Sequence, residues 1–370
     1  MTAPVQYYVD PSINANSGTG TIGDPYGDLQ YALNTITRST TVGDQINVKA
    51  GTAENMTSAI TLATYGTPQK LIIRGYTSAA GDGGIGEINF GGNNTNIFAG
   101  TYTDVILWDM KIGNNGTGQH NFGGSSGAYN CELHTFSGYV NVSSSNSFLC
   151  RSKIVCSNSN YAILFGYSGP FINQCYIEYT GGGTGIYLNG SNCFTLNNII
   201  KLSSAGARGI YCLHTVGNTG LILGNSIYQS AAGTGSGIDI DTRNEPAFQV
   251  IANNLIQGFS GSGGTAIKIN ASNTRDTGVV RNNRWFNCTN GYAGTDALQA
   301  TDNSATLASP FTDAANGDYR PTSEVAAIGW PSDFYGLANS NNYLALGALQ
   351  KQAAAAGGAN RLINGGLIIG

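Results

Sequence analysis

The chain has 370 residues, of which 53 are glycine and 10% are charged, yet 41% are hydrophobic, including 20 tyrosines and 13 phenylalanines. That apolar content excludes a disordered chain. A net charge of −4 excludes the basic surface typical of nucleic-acid-binding proteins. No run approaches the roughly 18 apolar residues of a membrane span, so neither nucleic acid nor a membrane is expected as a partner.

The seven cysteines are odd in number and lack the paired spacing of a zinc site. We therefore predict free thiols that pack as small apolar groups, and we expect neither a metal nor another cofactor. The first residues, MTAPVQYYVDPS, contain neither a basic nor an apolar segment of a secretory signal. This start predicts synthesis as a cytoplasmic protein.

Residues 1–52 are predicted to form a strand and a helix that cap the N-terminal end of the fold. After a short strand at Tyr7 and Tyr8, residues 28–36 place apolar side chains on one helical face, and Asp28 suits the helix N-terminus. Residues 45–51 alternate polar and apolar as a strand does. A solenoid needs its first turn covered, and we expect the helix to supply that cover.

Residues 53–295 contain a repeat with two apolar columns, each recurring every 21 to 30 residues. The first column consists of Met110, Leu133, Ile154, Ile177, Ile200, Ile227, Leu255 and Trp285. The second consists of Val140, Ile163, Ile186, Ile210, Ile238 and Ile267. Helical patterns are missing between these strands, the leucine-rich spacing is absent, and a propeller blade needs a longer repeat. The pattern therefore predicts an all-β, single-stranded parallel β-helix of about ten turns with three sheets.

Side-chain alternation assigns an inside and an outside to each turn. Asn198, Asn225, Asn253 and Asn283 are predicted to stack inside and to hydrogen-bond along the axis. Outside, the register places Glu132 beside Lys153, Glu178 beside Lys201, and Asp239 beside Lys268. Cross-strand ion pairs are the simplest interpretation of these neighbours.

Residues 296–350 lose the period and are predicted to fold back over the last turns as an irregular C-terminal cap. Residues 351–370 form a tail that is rich in alanine and glycine and becomes apolar near residue 370. An apolar tail of this kind indicates an assembly contact with a partner. The residues assigned to that contact are Leu362, Ile363, Leu367, Ile368 and Ile369.

The chain resembles the right-handed parallel β-helix proteins of the pectate-lyase-like superfamily. The resemblance rests on residues 19–33, on residues 43–51, and on the turns that contain an Asn-x-Ile sequence. It implies a right-handed coil. Proteins of this group include polysaccharide lyases and hydrolases, bacterial surface proteins, and phage tailspikes and other virion components.

One cluster on the second strand of the repeat has the residue types for chemistry. Asp239, Asp241 and Glu245 are candidate catalytic acids, and Lys268 is a candidate base. A glycosidase would need two of the carboxyl groups about 5 to 10 Å apart. Tyr187, Tyr211 and Arg243 are the candidate glycan-binding residues beside them. The dense acidic calcium site of the lyases is not visible in this sequence.

Two functions of different classes follow. The first is a phage virion structural protein, a homotrimeric capsid decoration or cement protein made in the host cytoplasm, with capsid or other virion proteins as partners. The second is a tailspike-like or secreted polysaccharide lyase or glycoside hydrolase that acts on a cell-surface polysaccharide, outside the cell. Activity on glycans, or binding to empty capsids, would separate the two.

Overall fold

The computed structural model is a right-handed parallel β-solenoid. It describes residues 4–13, 15–61, 70–90, 104–114, 118–135, 137–144, 146–166, 169–190, 192–214, 219–242, 248–271, 278–294, 299–301, 303–306 and 308–321. Its strands form three parallel sheets, and between residues 105 and 294 each turn of the chain adds one strand to each sheet. Among the described residues, no helix is long and apolar enough to cross a membrane.

The first two sheets meet at a tight corner. The twelve-stranded sheet contains β1 Val5–Val9, β2 Asp44–Lys49, β4 Leu71–Tyr76, β6 Val105–Trp108, β9 Gly127–Tyr129, β12 Phe148–Cys150, β15 Phe171–Asn173, β18 Cys193–Leu196, β21 Thr219–Leu223, β24 Phe248–Ala252, β27 Gly278–Arg281 and β30 Gln299–Thr301. The eleven-stranded sheet contains β3 Ala53–Asn55, β5 Gly86–Asn89, β7 Met110–Asn114, β10 Glu132–Thr135, β13 Lys153–Cys156, β16 Tyr176–Tyr179, β19 Ile199–Leu202, β22 Ser226–Gln229, β25 Leu255–Gln257, β28 Arg284–Phe286 and β31 Ser304–Ala305.

The third sheet sets the number of complete turns. This eight-stranded sheet contains β8 His120–Phe122, β11 Val140–Val142, β14 Tyr161–Phe165, β17 Thr184–Leu188, β20 Arg208–His214, β23 Ser236–Thr242, β26 Thr265–Ala271 and β29 Asn290–Gly294. The described residues therefore complete about eight three-sheet turns rather than the ten predicted. At roughly 4.8 Å per turn, the eight turns occupy about 38 Å of the axis.

The corner between the first two sheets has the same local structure on successive turns. One residue in the left-handed conformation turns the chain, and the next residue points into the core. The corner residues are Asp109, Asn130, Arg151, Gln174, Asn197, Gly224, Asn253 and Asn282, with φ between 50° and 66°. Asn, Asp and Gly dominate because they tolerate this conformation best.

The core contains an asparagine ladder that begins where the sequence predicts it. The Nδ2 atom of Asn198 donates to Oδ1 of Asn225 at 3.0 Å, and Asn225 donates in the same way to Asn254 at 3.0 Å. The ladder continues through Asn283 to Asn303 at 2.9 and 2.8 Å. Each amide also donates to a backbone carbonyl, so these buried polar groups are satisfied.

The predicted columns are correct over most turns and wrong at two. Asn253 is a corner residue with φ of 59°, and Asn254 takes its predicted place in the ladder. Ile256, not Leu255, pairs with Ile227 in the core column, while Leu255 pairs with Ser226 outside. At the other end, Ile112 pairs with Leu133, and Met110 pairs with Gly86 instead. The slip at Leu255 is one residue and moves the side chain to the opposite face, whereas the slip at Met110 is two residues and leaves the side chain in the core.

The helix α1, Leu29–Thr35, begins at the N-cap Asp28, whose side chain accepts from the backbone N–H of Tyr31. Leu29, Ala32 and Leu33 are buried in the main hydrophobic core. The backbone N–H of Leu29 also donates to the Glu54 carboxylate at 3.2 Å. Burial and the neighbouring Asp28 raise the pKa of Glu54 to about 7.

The last described residues form an antiparallel hairpin, β32 Phe311–Asp313 and β33 Asp318–Pro321, joined by a short 3-10 turn. Tyr319, 1% exposed, lies about 6 Å from the rings of Tyr176 and Tyr228 on the outer face of the eleven-stranded sheet. The hydroxyl of Ser309 donates to the Gln257 side chain at 2.8 Å. The hairpin therefore folds back along a lateral face of the solenoid, over four of its turns.

Candidate functional site

Two of the three predicted ion pairs are confirmed on the outer face of the eleven-stranded sheet. Nζ of Lys153 lies 2.9 Å from Oε1 of Glu132, and Lys201 lies 3.0 Å from Glu178. The third prediction, Asp239 with Lys268, is wrong about the partner. Lys268 is the in-register neighbour of Asp239, but the Asp239 carboxylate pairs with Nε of Arg208 at 3.3 Å.

The outer face of the eight-stranded sheet has a different character, because four tyrosine rings follow one another along its axis. Tyr139 meets Tyr161 edge-on, with ring centroids 4.8 Å apart, and Tyr161 leans on Tyr187 at 5.4 Å. Tyr187 stacks on Tyr211 at 5.3 Å with only 12° between the ring planes. We call these four residues the tyrosine row. The spacing of Tyr187 and Tyr211 follows from the parallel register, since they are direct partners, whereas Tyr161 is the partner of Thr184.

A groove of about 380 Å³ runs beside the tyrosine row. Its walls are the rings of Tyr161, Tyr187 and Tyr211 and the side chain of Arg208. The remaining lining residues lie just before or at the start of three successive strands of this sheet. They are Ser159, Asn160, Gly182, Gly183, Thr184 and Gly206. The groove therefore crosses three successive turns parallel to the solenoid axis.

The glycines of the groove differ in what the fold demands of them. A Cβ atom on Gly183 would lie 1.8 Å from the Asn160 carbonyl oxygen, so the backbone packing requires glycine there. A Cβ atom on Gly182 or Gly206 would meet its nearest neighbour at 3.6 Å, an ordinary contact, and neither residue has a positive φ. At these two positions the backbone packing does not require glycine, and the missing side chain leaves space in the groove.

Arg208 joins the groove to the acidic residues. Its guanidinium lies 4.4 Å from the centroid of the Tyr211 ring, within cation–π range, while its Nε pairs with Asp239. The Arg208 side chain remains 42% exposed, whereas Asp239 is 3% exposed. The arginine therefore covers the carboxylate and presents its own polar surface to the groove.

Two aspartates follow the tyrosine row along the sheet. Asp239 also accepts a hydrogen bond from Nδ2 of Asn270 at 3.1 Å. Burial raises the pKa of the Asp239 carboxyl, against the opposing charges of Arg208 and Lys268. Asp241, two residues further on the same strand, accepts from the Tyr211 hydroxyl at 3.1 Å, and the pKa of Tyr211 is raised by burial and then by this carboxylate.

The structure brings five of the predicted site residues together. Tyr187, Tyr211, Asp239 and Asp241 form one continuous set of contacts with Arg208, and Lys268 lies on the next strand. The other predicted site residues lie outside the described part of the chain. They are Arg243, Glu245, and the tail residues Leu362, Ile363, Leu367, Ile368 and Ile369.

Sequence reasoning missed Arg208, Tyr161 and the open glycines. Tyr161, Thr184 and Arg208 are direct partners on successive strands. Each lies three residues before the outward column that contains Tyr187 and Tyr211. Alternation alone would place a residue three positions before an outward one on the inner face, so it does not predict that Tyr161 and Arg208 reach the groove.

A smaller cavity of about 290 Å³ lies at the N-terminal cap, between the start of α1 and residues 55–58. Asp28 lines it, and Glu54 is buried behind the helix start. Both carboxyl groups accept hydrogen bonds from the first backbone N–H groups of the helix. These contacts give the pair a structural role in holding the cap. Within the described residues, no group of three or more His, Cys, Asp or Glu side chains has a metal-binding arrangement.

Comparison with known proteins adds a general likeness of fold. No protein-family model matches the sequence, and no curated protein matches it. Among solved structures, the chain is similar to the selenomethionine derivative of a GH136 lacto-N-biosidase from Eubacterium ramulus, with a TM-score of 0.42 and 11% identity over 82% of this chain and 68% of that one. The native form gives 0.39 and 11%, over 81% and 68%.

Proposed function

We propose that the chain is a glycan-binding β-helix protein whose binding site is the groove beside the tyrosine row. The observation that supports this most is the groove itself, a depression of about 380 Å³ with three tyrosine rings and an exposed arginine in its walls. Sugars combine apolar C–H surface with many hydroxyl groups. Tyrosine and arginine match both properties, because each joins apolar area to a polar end.

The ring arrangement determines how a sugar would be held. The rings of Tyr187 and Tyr211 stack, so each covers one face of the other ring. The Arg208 guanidinium also lies over the Tyr211 ring. The row therefore offers ring edges and phenol hydroxyls more than open ring faces. Binding would depend mainly on hydrogen bonds to these hydroxyls, to the Arg208 guanidinium and to the polar lining residues Ser159, Asn160 and Thr184.

The charge around the groove favours a neutral glycan. Arg208 and Lys268 supply two positive charges, and Asp239 and Asp241 supply two negative charges on the same face. Because the groove crosses three turns along the axis, an extended linear glycan suits it better than a compact one.

Binding to a panel of neutral and acidic oligosaccharides, measured by calorimetry or on an array, tests the proposal. We expect a neutral linear glycan to bind the wild-type chain, and we expect Tyr187→Ala to weaken its binding at least about tenfold, which is about 1.4 kcal/mol. Tyr8→Ala is the matched control, because Tyr8 makes an edge-on ring contact with Tyr76 in the first strands, remote from the groove. Equal loss in both variants, or no binding by the wild type, would remove the proposal.

Glycan cleavage is a second candidate function, and the raised pKa of Asp239 favours it. The Cα atoms of positions two apart on a strand are separated by about 6.6 Å, a spacing that allows two carboxyl groups to take the separation of about 6.5 to 9.5 Å used by inverting glycosidases. The burial of Asp239 beneath Arg208 and Asn270 argues for a supporting role, since an acid must reach its substrate. Release of reducing sugar that is abolished by both Asp239→Asn and Asp241→Asn would establish cleavage.

The role of capsid decoration protein remains a separate proposal from the sequence, as do the homotrimer and the virion location. It depends on residues 351–370, which lie outside the described part of the chain. Co-sedimentation with empty capsids tests it independently of the groove. A glycan-binding rod on a virion, as in a tailspike-like protein, would satisfy both proposals.

A further inference from the structure

Asp239 and Asp241 lie behind the groove rather than in its walls. Neither belongs to the groove lining, and each is bonded to a side chain that does. The Asp239 carboxylate pairs with Nε of Arg208 at 3.3 Å, and the Asp241 carboxylate accepts from the Tyr211 hydroxyl at 3.1 Å. The two aspartates can therefore influence a ligand in the groove through Arg208 and Tyr211.

The contact with Asp239 determines how Arg208 is presented to a ligand. Nε donates to the carboxylate, and one face of the guanidinium lies 4.4 Å from the centroid of the Tyr211 ring. Nε is only one of the N–H donors of arginine, and the side chain is still 42% exposed beside the groove. The carboxylate therefore holds the guanidinium in place and leaves its Nη groups as donors for a ligand.

The same arrangement holds Arg74 on the twelve-stranded sheet. The Arg74 guanidinium lies 4.8 Å from the centroid of the Trp108 ring, and its Nε pairs with the buried Asp109 at 3.1 Å. Here the backbone at Gly81 packs against the guanidinium, since a Cβ atom on Gly81 would lie 3.1 Å from Nη1. The Arg74 side chain is 22% exposed, half the value for Arg208. At Arg74 the arrangement completes a covered surface, whereas at Arg208 it opens on a groove.

The contact with Asp241 determines the role of the Tyr211 hydroxyl. A phenol has one hydrogen to donate and lone pairs that accept, and an ionised carboxylate can only accept. The Tyr211 hydrogen is therefore directed to Asp241, and a ligand in the groove meets the phenol oxygen as an acceptor. A donor at Arg208 and an acceptor at Tyr211 thus lie side by side.

We propose that Asp239 and Asp241 are positioning residues that fix the hydrogen-bond polarity of the groove, with Arg208 as donor and Tyr211 as acceptor. This role rests on the glycan binding proposed for the groove, and it specifies what the groove selects. The glycan must present an O–H or N–H donor to the Tyr211 oxygen and an oxygen acceptor beside it to Arg208. A sugar with fluorine in place of that donor is rejected, because fluorine cannot donate.

A double-mutant cycle tests whether Asp239 acts through Arg208. Asp239→Asn keeps the size of the side chain and removes its charge, and we expect it to weaken glycan binding about tenfold. In an Arg208→Met background the same substitution should change affinity less than about twofold, because the group that it positions is gone. Equal losses in both backgrounds would overturn the positioning role.

Asp109→Asn is the matched control. It removes an equivalent buried charge beneath Arg74, and asparagine tolerates the left-handed backbone at this corner. Glycan affinity should match the wild type, because Asp109 and Arg74 do not line the groove. A tenfold loss in this variant as well would show that any lost buried charge weakens binding, and it would overturn the specific role of Asp239.

Fluorinated sugars test the acceptor role of Tyr211. Each hydroxyl of the bound glycan is replaced in turn by fluorine, and we expect one analogue to bind the wild type at least about tenfold more weakly than the parent. Asp241→Leu frees the Tyr211 hydrogen to point at the ligand, so the difference between parent and analogue should shrink several-fold. The same difference in the folded variant and in the wild type would overturn the role of Asp241.

A signal from Arg208 itself separates the positioning role from glycan binding. By nuclear magnetic resonance, we expect the Nε–H of Arg208, assigned by its loss in Arg208→Met, to exchange slowly with water in the wild type. Exchange should be at least about tenfold faster in Asp239→Asn and unchanged in Asp109→Asn. Unchanged exchange in Asp239→Asn would overturn the positioning role even if glycans bind. Faster exchange in a chain that binds no glycan would support the positioning of Arg208 and remove only the proposed function.

Discussion

The outer faces of the eight-stranded and eleven-stranded sheets start from the same backbone and end in different surfaces. On the eleven-stranded sheet, outward charges pair between neighbouring strands, and the hairpin with Tyr319 buries the later turns. On the eight-stranded sheet, tyrosines and Arg208 surround an open groove. A solenoid builds its core by repetition, so the outer residues alone distinguish a covered face from one available to a ligand.

The largest expected effect comes from uncovering the covered face. Tyr319→Ala should lower the free energy of unfolding by about 3–5 kcal/mol, because a fully buried ring is lost from contact with Tyr176, Tyr228 and Phe311. Urea denaturation measures the change. Glycan affinity of the folded variant should match the wild type. A parallel loss of affinity would show that the two faces are not independent.

The inner side of the eleven-stranded sheet should respond to pH through Glu54, in strand β3. Its pKa is raised to about 7, so its stabilising contribution is present below the unfolded pKa near 4.5 and is lost as pH rises through 7. Glu54→Gln should therefore reduce the fall in stability between pH 5 and pH 8 by an amount on the order of 2 kcal/mol. Chemical denaturation at both pH values checks this, and identical pH dependence in variant and wild type would be evidence against a buried carboxyl.

On the outer side of the same sheet, Glu132 should make stability change with pH in the opposite direction and by a smaller amount. Glu132 has its pKa lowered to about 2, first by the hydrogen bond with His134 and also by Lys153. Its contribution is present above the unfolded pKa and is lost as pH falls towards 2. Solvent screens this partly exposed group, so Glu132→Gln should cost less than about 1 kcal/mol at pH 7. The cost should vanish near pH 2, and a cost that persists there would indicate lost packing instead.

Much of the fold follows from the sequence, because a parallel solenoid repeats one local rule. The inward column from Leu133 to Ile227 needs only alternation and period. The slip at Asn253 arose where two asparagines precede Leu255 and Ile256, so two registers fit equally well. The corner rule resolves it, since an Asn or Gly in the left-handed conformation precedes the first four ladder asparagines, as Gly224 precedes Asn225.

The site was predictable in part for the same reason. Tyr187, Tyr211 and Asp239 form one register column, which sequence spacing reveals directly. The Arg208–Asp239 pair depends on a long side chain reaching across to the next strand, which no spacing rule specifies. The hairpin position was also beyond local rules, because it depends on Tyr319 packing against residues far back in the sequence.

The most direct test of the groove fills it without changing the fold. Gly206→Leu places a side chain in the groove at a position where a Cβ atom has only an ordinary contact, whereas Gly183→Ala forces a clash with Asn160. We predict that Gly206→Leu keeps the wild-type thermal midpoint and loses the bound glycan, while Gly183→Ala lowers the midpoint. Wild-type glycan affinity in a folded Gly206→Leu variant would contradict the assignment of this groove as the binding site.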